Sequence, residues 1–152
     1  MKFQFEILVQ GRKNLLRLLE PYSIAQLNQI PPGFKNNLVW NLGHVMVSHQ
    51  NLCYKLSGLP VNIPDEYVQQ FSKGTAPTDS IGEQQVAQLK SLAVSTAEQF
   101  QVDYDKGIFK AYQSYQSIYG VELQTIEDAV IFNNTHEGLH LGYMMAMRKL
   151  IV

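Results

Sequence analysis

Four long segments of the sequence carry apolar residues at spacings of three and four, which is the pattern of a helix that buries one face. Capping residues, glycines and prolines bound these segments. The predicted helices cover roughly residues 3–19, 36–57, 80–101 and 125–152. Neither a set of short alternating strands nor a strand–helix–strand spacing occurs elsewhere. The sequence therefore predicts an all-α fold of four antiparallel helices with one long crossover connection.

The connection before the last helix, residues 103–124, does not follow the helical pattern. It contains four tyrosines, one phenylalanine and two glycines. A structureless loop of this length is unusual in a compact domain, so we expect an ordered connection with some extended backbone that packs on the bundle. Shorter helical turns are expected at 23–29 and 65–71. Because no linker or repeat divides the chain, we predict one domain over residues 1–152.

Composition and charge argue against several classes of function. The formal net charge is -1, which leaves no basic excess for binding nucleic acid or an anionic membrane. Charged residues make up 16% and apolar residues 45%, as in a packed globular domain. The polar N-terminus does not resemble a signal peptide, and no apolar run is long enough to span a membrane. The single cysteine, Cys53, suits a reducing compartment, so we expect a cytoplasmic protein.

Two of the four histidines, His136 and His140, lie four residues apart in the last predicted helix. This spacing puts both rings on one side, and the surrounding apolar stripe predicts that this side faces the bundle interior. Buried imidazoles need polar partners, and a shared metal ion would satisfy both. Hydrogen bonds to buried side chains or water are the alternative.

The segment from His136 to His140 also matches the H-E-x-x-H pattern of zinc proteases, in which the glutamate is the general base. Only twelve residues follow His140, and none is His, Asp or Glu, so no downstream third ligand exists. We therefore disfavour a protease. Glu137 is retained as the candidate catalytic residue, either as a general base or as a partner of a ligand. A solvated carboxylate is the alternative.

A third histidine ligand would have to come from the second predicted helix, which contains His44 and His49. At 100° per residue, His49 falls within the apolar stripe of that helix, whereas His44 lies toward its margin. The periodicity alone therefore favours His49.

Two motifs resemble those of the DinB-like superfamily and favour His44 instead. They are Trp40-Asn-Leu-Gly-His44 and His136-Glu-Gly-Leu-His140-Leu-Gly142, and they occur in the order found in that family. The resemblance implies an up-down-down-up four-helix bundle. It also implies a divalent metal, often nickel or zinc, bound by His44, His136 and His140 with water in the open positions. A homodimer is a further implication.

Three neutral imidazoles leave coordination positions for water or substrate, as catalytic metal sites do. The leading hypothesis is therefore a metal-dependent enzyme that acts on a small molecule. The resemblance allows a hydrolase or a transferase that depends on a low-molecular-weight thiol. The alternative hypothesis is a non-catalytic binding or dimerisation module with a polar or metal-supported pocket.

Overall fold

The computed structural model describes residues 1–152 and is predominantly helical, as predicted. Its α-helices are α1 (Lys2–Leu19), α2 (Ile24–Asn28), α3 (Leu38–His49), α4 (Asp65–Phe71), α5 (Glu83–Asp105) and α6 (Ile126–Met147). Its strands, β1 (Tyr115–Gln116) and β2 (Glu122–Leu123), form one small antiparallel hairpin. No helix combines the length and hydrophobicity that crossing a lipid bilayer would require.

Local capping explains where several helices begin. Thr125 and Asp128 form a reciprocal capping box at the start of α6, as the sequence predicts. The sequence pattern from Ser80 to Glu83 predicts a capping box at the start of α5, but this prediction is wrong, because α5 begins at Glu83 and no side chain caps it. Asn28 instead contacts the backbone N–H and carbonyl of Ile81, which joins the end of α2 to the segment before α5.

The predicted second helix has the expected extent but not a uniform geometry. After α3 the chain continues through a π turn, Gln50–Tyr54, and a 3-10 turn, Lys55–Ser57. Gly58 ends this segment at a φ of 72°, a conformation that favours glycine. Because a π turn rotates the chain less per residue than an α-helix does, side chains beyond His49 depart from a regular helical wheel.

The four long helices pack so that α1 contacts α5 and α6, and α3 contacts the same two helices. Two apolar clusters form the interior. One surrounds α3 and α4, and the other joins the start of α1 to the end of α5 and the start of α6. Leu8 of α1 belongs to the second cluster and Leu15 to the first. Arg12, completely buried, lies between these two leucines in the sequence of α1.

The connection before α6 is ordered and partly extended, as expected. Helix α5 extends to Asp105, beyond its predicted end, and the hairpin follows. Tyr104, Phe109, Tyr112 and Tyr115 pack against the second apolar cluster. Through these aromatic contacts the connection is held against the bundle beside α6.

Candidate metal centre

Helices α3 and α6 bring three of the four histidines together. His44 comes from α3, and His136 and His140 come from successive turns of α6. The candidate ligand atoms of all three lie within 4.8 Å of one another. Ligand nitrogens at about 2.0–2.1 Å from a tetrahedral ion would lie about 3.3 Å apart, so small side-chain rotations would close the set around a metal.

The ring of His44 is held on two sides. Its Nδ1 lies 2.8 Å from the carbonyl oxygen of Phe71, and the indole of Trp40 stacks on it at a centroid distance of 4.7 Å. An imidazole that donates from Nδ1 to a carbonyl keeps Nε2 unprotonated and available as a metal ligand. Gly43 makes this packing possible, because a Cβ atom there would lie 2.4 Å from the Phe71 ring.

His140 has an equivalent support from a side chain. Its Nδ1 lies 2.8 Å from Oδ1 of Asn41. The amide nitrogen of Asn41 donates to the carbonyl of Asn37 and to the side chain of Asn36, which defines its oxygen as the acceptor facing His140. The Nε2 atom of His140 is therefore also free to bind a metal.

The third imidazole, His136, has a buried Nδ1 that lacks a hydrogen-bond partner. A buried polar atom without a hydrogen-bond partner lowers stability. A metal ion bound jointly by the three histidines would give this imidazole a polar partner. The donor set of three imidazole nitrogens suits zinc, nickel and related divalent ions. The residues present thus fit the metal that the resemblance implies.

Burial keeps the three rings in the form that binds metals. It lowers the pKa of His136 to about 4, with further lowering from His44 and Arg12. It lowers the pKa of His140 to about 3, with contributions from the other two histidines. The pKa of His44 is also lowered by burial, although its bond to the Phe71 carbonyl opposes the shift. All three imidazoles are therefore neutral at neutral pH.

His49 does not join this cluster. Its ring is completely buried, with Phe100 at a centroid distance of 4.9 Å and Tyr54 at 6.3 Å. Neither ring nitrogen has a hydrogen-bond partner. The preference for His49 that periodicity alone suggested is therefore wrong, and this residue belongs to the aromatic interior.

Glu137 points away from the histidines and toward α1. Its Oε2 accepts from Nε of Arg12 at 2.6 Å, and its Oε1 accepts from Nη2 of Arg12 at 2.8 Å. Asn133 donates to the same Oε1 at 2.8 Å. The suggestion that this carboxylate is solvated is wrong, because the side chain is buried. Its role as a general base stays a prediction and would require this ion pair to open.

The residues that support this arrangement have weak signals in the sequence or none. Arg12 interrupts an otherwise apolar stripe on α1, which was a usable signal for a buried ion pair. Asn41 is 99 positions away from His140 in the sequence, and only the packing of α3 on α6 brings the two side chains together. The acceptor for His44 is a backbone carbonyl, which has no sequence signature.

A cavity of about 320 Å³ lies beside the cluster, between α6 and the extension of α3. We call it the histidine cavity. The hairpin and the loop after α4 complete its wall. Its lining residues are His44, Ser48, Asn51, Leu52, Lys55, Leu56, Lys73, Tyr115, Ile118, Phe132 and His136. A small molecule in this space would contact two of the three candidate ligands, whereas a long peptide would find only two-residue strands nearby to pair with.

Comparison with known proteins identifies the family. The family model described as the DinB superfamily matches residues 7–144. The fold is similar to a crystal structure of a conserved protein from Enterococcus faecalis, with a TM-score of 0.71 and 12% sequence identity over 99% of this chain and 95% of that one. No curated protein matches the chain. Because the family match covers most of the sequence, the chain belongs to the DinB superfamily.

Proposed function

We propose that this protein is a metal-dependent enzyme whose nickel or zinc ion is held by His44, His136 and His140. The observation that carries the proposal is the convergence of three neutral imidazoles, two of which have Nδ1 engaged and an Nε2 that can bind a metal. The hydroxyl of Ser48 lies 3.3 Å from Nε2 of His44, so a metal would replace this contact. The DinB superfamily is metal-binding, which agrees with this donor set. The adjacent histidine cavity supplies room for a small-molecule substrate.

The surrounding residues orient and shield the site. Phe71 and Asn41 hold the tautomers of two imidazoles, and Trp40 covers one face of His44. A divalent metal bound there would lower the pKa of a coordinated water or bind a thiolate, which supports either a hydrolase or a low-molecular-weight-thiol-dependent transferase. Glu137 would keep the α6 turn that carries the histidines fixed to α1 through Arg12.

Metal analysis of protein purified without a histidine tag tests the proposal. We expect about one equivalent of metal per chain, by analogy with three-histidine sites. The variants His136→Ala and His140→Ala should each lose most of it. His49→Leu is the matched control, because it removes a buried histidine outside the cluster. Full metal content in both alanine variants would refute the assignment, and a metal-loaded protein would next be screened for hydrolysis and thiol transfer.

We also propose that the four long helices run up-down-down-up. In α1 and α5 the contacting residues lie at opposite ends, whereas in α1 and α6 they lie near the same end. The supporting contacts are Phe5 with Phe100, Gln4 with Asn134, and Asn41 with His140. With α1 up, these pairs make α5 down, α6 up and α3 down.

A homodimer through the outer face of α1 and α6 is a second proposal, and it accommodates the non-catalytic alternative of a dimerisation module. Phe3, Ile7 and Leu139 are exposed there. Gly138 and Gly142 face open space, since a Cβ atom at either would meet nothing within 4 Å. Glycines on an outer helix face allow a partner helix to approach closely, and this offsets their cost of about 1 kcal/mol each in a helix interior.

Light scattering and sedimentation would test this dimer. Gly138→Arg should give a monomer, because a long charged side chain would fill the space that the partner needs. Gly82→Arg, at an open position outside the proposed face, is the control and should stay dimeric. A monomeric wild-type protein at micromolar concentration would refute the dimer without bearing on the metal site. We also propose that the protein is cytoplasmic, because its single cysteine, Cys53, suits a reducing compartment.

A further inference from the structure

Two lysines, Lys55 and Lys73, line the histidine cavity together with His44 and His136, and the proposed function does not use them. We propose that the cavity binds a small molecule with an apolar segment and an anionic end, and that Lys55 and Lys73 hold the anionic group. The proposal rests on the metal site only for the placement of the reacting end. It names the class of substrate, which the three histidines alone do not define.

The charge of the cavity is unbalanced. Lys55 and Lys73 line it, whereas no aspartate or glutamate does. Neither lysine has a carboxylate oxygen within 4.0 Å, since the ion pairs of the structure involve Lys2, Arg12 and Lys13. The whole chain has a net charge of -1, so two unpaired cations in one cavity are a local excess. Both lysines are exposed, so an anionic ligand would supply a countercharge through ion pairs that depend on ionic strength.

The lysines reach the cavity from two different elements. Lys55 lies at the start of the 3-10 turn that extends α3, and Lys73 lies in the loop after α4. They therefore approach a bound group from separate directions. Asn51, on the π turn between His44 and Lys55 in the sequence, has a buried Oδ1 without a hydrogen-bond partner, so this oxygen can accept a hydrogen bond from a donor group of the ligand.

The remaining wall defines the middle of the ligand. Leu52, Leu56, Ile118 and Phe132 provide an apolar surface along the cavity. A fully polar metabolite would lose hydration against this surface without gaining partners. The volume of about 320 Å³ is at the lower end of small-molecule sites, which are typically about 300–1,000 Å³. The best match is therefore a compact amphipathic molecule with a reacting group near His44 and His136 and an anionic group near the lysines.

A pair of thiols that differ only in charge tests this assignment on the cobalt-loaded full chain. The probes are 6-mercaptohexanoate and 6-mercaptohexan-1-ol, whose thiolates give a charge-transfer absorption when they bind cobalt. We expect the carboxylate probe to bind about tenfold more tightly than the alcohol at low salt, as two ion pairs to exposed lysines would give. This advantage should shrink as the ionic strength rises.

The variant Lys55→Gln/Lys73→Gln should bring the two affinities within about twofold of each other, without changing the affinity for the alcohol. Lys106→Gln, which makes the same change at an exposed position outside the cavity, should keep the full preference. Circular dichroism would verify folding, and Lys73→Gln alone replaces the double variant if that variant unfolds. Equal wild-type affinities for the two probes would overturn the proposal, as would a preference that survives the substitution.

Metal-free protein gives an independent measurement. Titrations with hexanoate, hexyl phosphate and hexan-1-ol, followed by NMR, should shift the amides near Lys55 and Lys73 at lower concentrations of the two anions. Comparison of hexanoate with hexyl phosphate distinguishes a carboxylate from a phosphate ligand. If the protein takes up no cobalt, the proposed function fails while this titration still decides the anion site. No preference for either anion over the alcohol would overturn it.

Discussion

Replacing Arg12 by methionine would remove the one cation from the interior of the helix bundle and leave its partner behind. Arg12 is completely buried. Its guanidinium makes two bonds to Glu137, at 2.6 and 2.8 Å. It also donates to the carbonyl of Ala93 at 3.1 Å and to that of Val45 at 3.2 Å. A single side chain of α1 thereby connects α3, α5 and α6.

The stability lost in Arg12→Met follows from the hydrogen bonds that Glu137 retains. Without Arg12, the carboxylate of Glu137 would retain only the bond from Asn133. Breaking a buried ion pair by removing one partner typically costs about 3–5 kcal/mol, because a charge is left uncompensated in the interior. Methionine fills much of the vacated volume, so a cavity adds little to this loss. For a domain of this size the change corresponds to a fall in Tm of roughly 6–20 °C.

Urea denaturation at pH 7, followed by circular dichroism, would measure the loss in Arg12→Met. Arg17→Met is the matched control, because Arg17 is exposed on the same helix and its loss should change the free energy of unfolding by less than about 0.5 kcal/mol. The double variant Arg12→Met/Glu137→Met should be more stable than the sum of the single losses predicts, since it removes both charges together. A loss below about 1 kcal/mol in Arg12→Met, or simple additivity, would refute the reasoning.

Three further predictions concern the metal centre. Gly43→Ala should weaken metal binding about 10–100-fold in calorimetry, because the new methyl group would displace Phe71, whose carbonyl orients His44. Gly11→Ala, at an open position, is the control, and an unchanged affinity in Gly43→Ala would contradict this prediction. His49→Leu should keep the metal and lower the free energy of unfolding by at most about 1 kcal/mol, because it removes an imidazole without hydrogen-bond partners. Loss of the metal in this variant would reject His44 as the third ligand. In metal-free protein the pKa of His136 is about 4 and that of His140 is about 3, below the ordinary value of 6.5. The unfolded chain therefore binds more protons than the folded chain, and the free energy of unfolding should fall as the pH is lowered from 6.5 to 4. Replacing both of these histidines by alanine should flatten that slope in pH-dependent denaturation, and an unchanged slope would assign it to other groups.

The extents of the helices were predictable because the signals that bound them are local. Thr125 and Asp128 lie three residues apart and cap α6 through contacts with each other. Gly58 ends the α3 extension with a backbone conformation that glycine favours. At the start of α5 the local pattern failed, because no side chain caps the helix and a distant residue binds the preceding segment. Asn28 binds the segment before α5 across 53 positions of sequence, and no local pattern reveals that contact.

The choice between His44 and His49 failed on periodicity for a related reason. Helical periodicity identifies the buried side of a helix, and His49 is completely buried. It does not identify the neighbour that a buried ring meets. His49 packs against Phe100 of α5, whereas His44 packs against the two histidines of α6. The family resemblance chose His44 because a motif carries the outcome of packing, which a uniform helical wheel does not.

The buried pair of Arg12 and Glu137 also gives the H-E-x-x-H letters of α6 a structural role. In that motif the glutamate must reach a water on the metal. On α6, His136 and His140 share one side, and Glu137 is rotated by about 100° from His136 toward the next face of the helix. In this bundle that next face meets α1, where a buried guanidinium takes both carboxylate oxygens. The same five letters can therefore place a base beside a metal or lock a helix in register, and the residue that distinguishes the two outcomes is Arg12, 125 positions away.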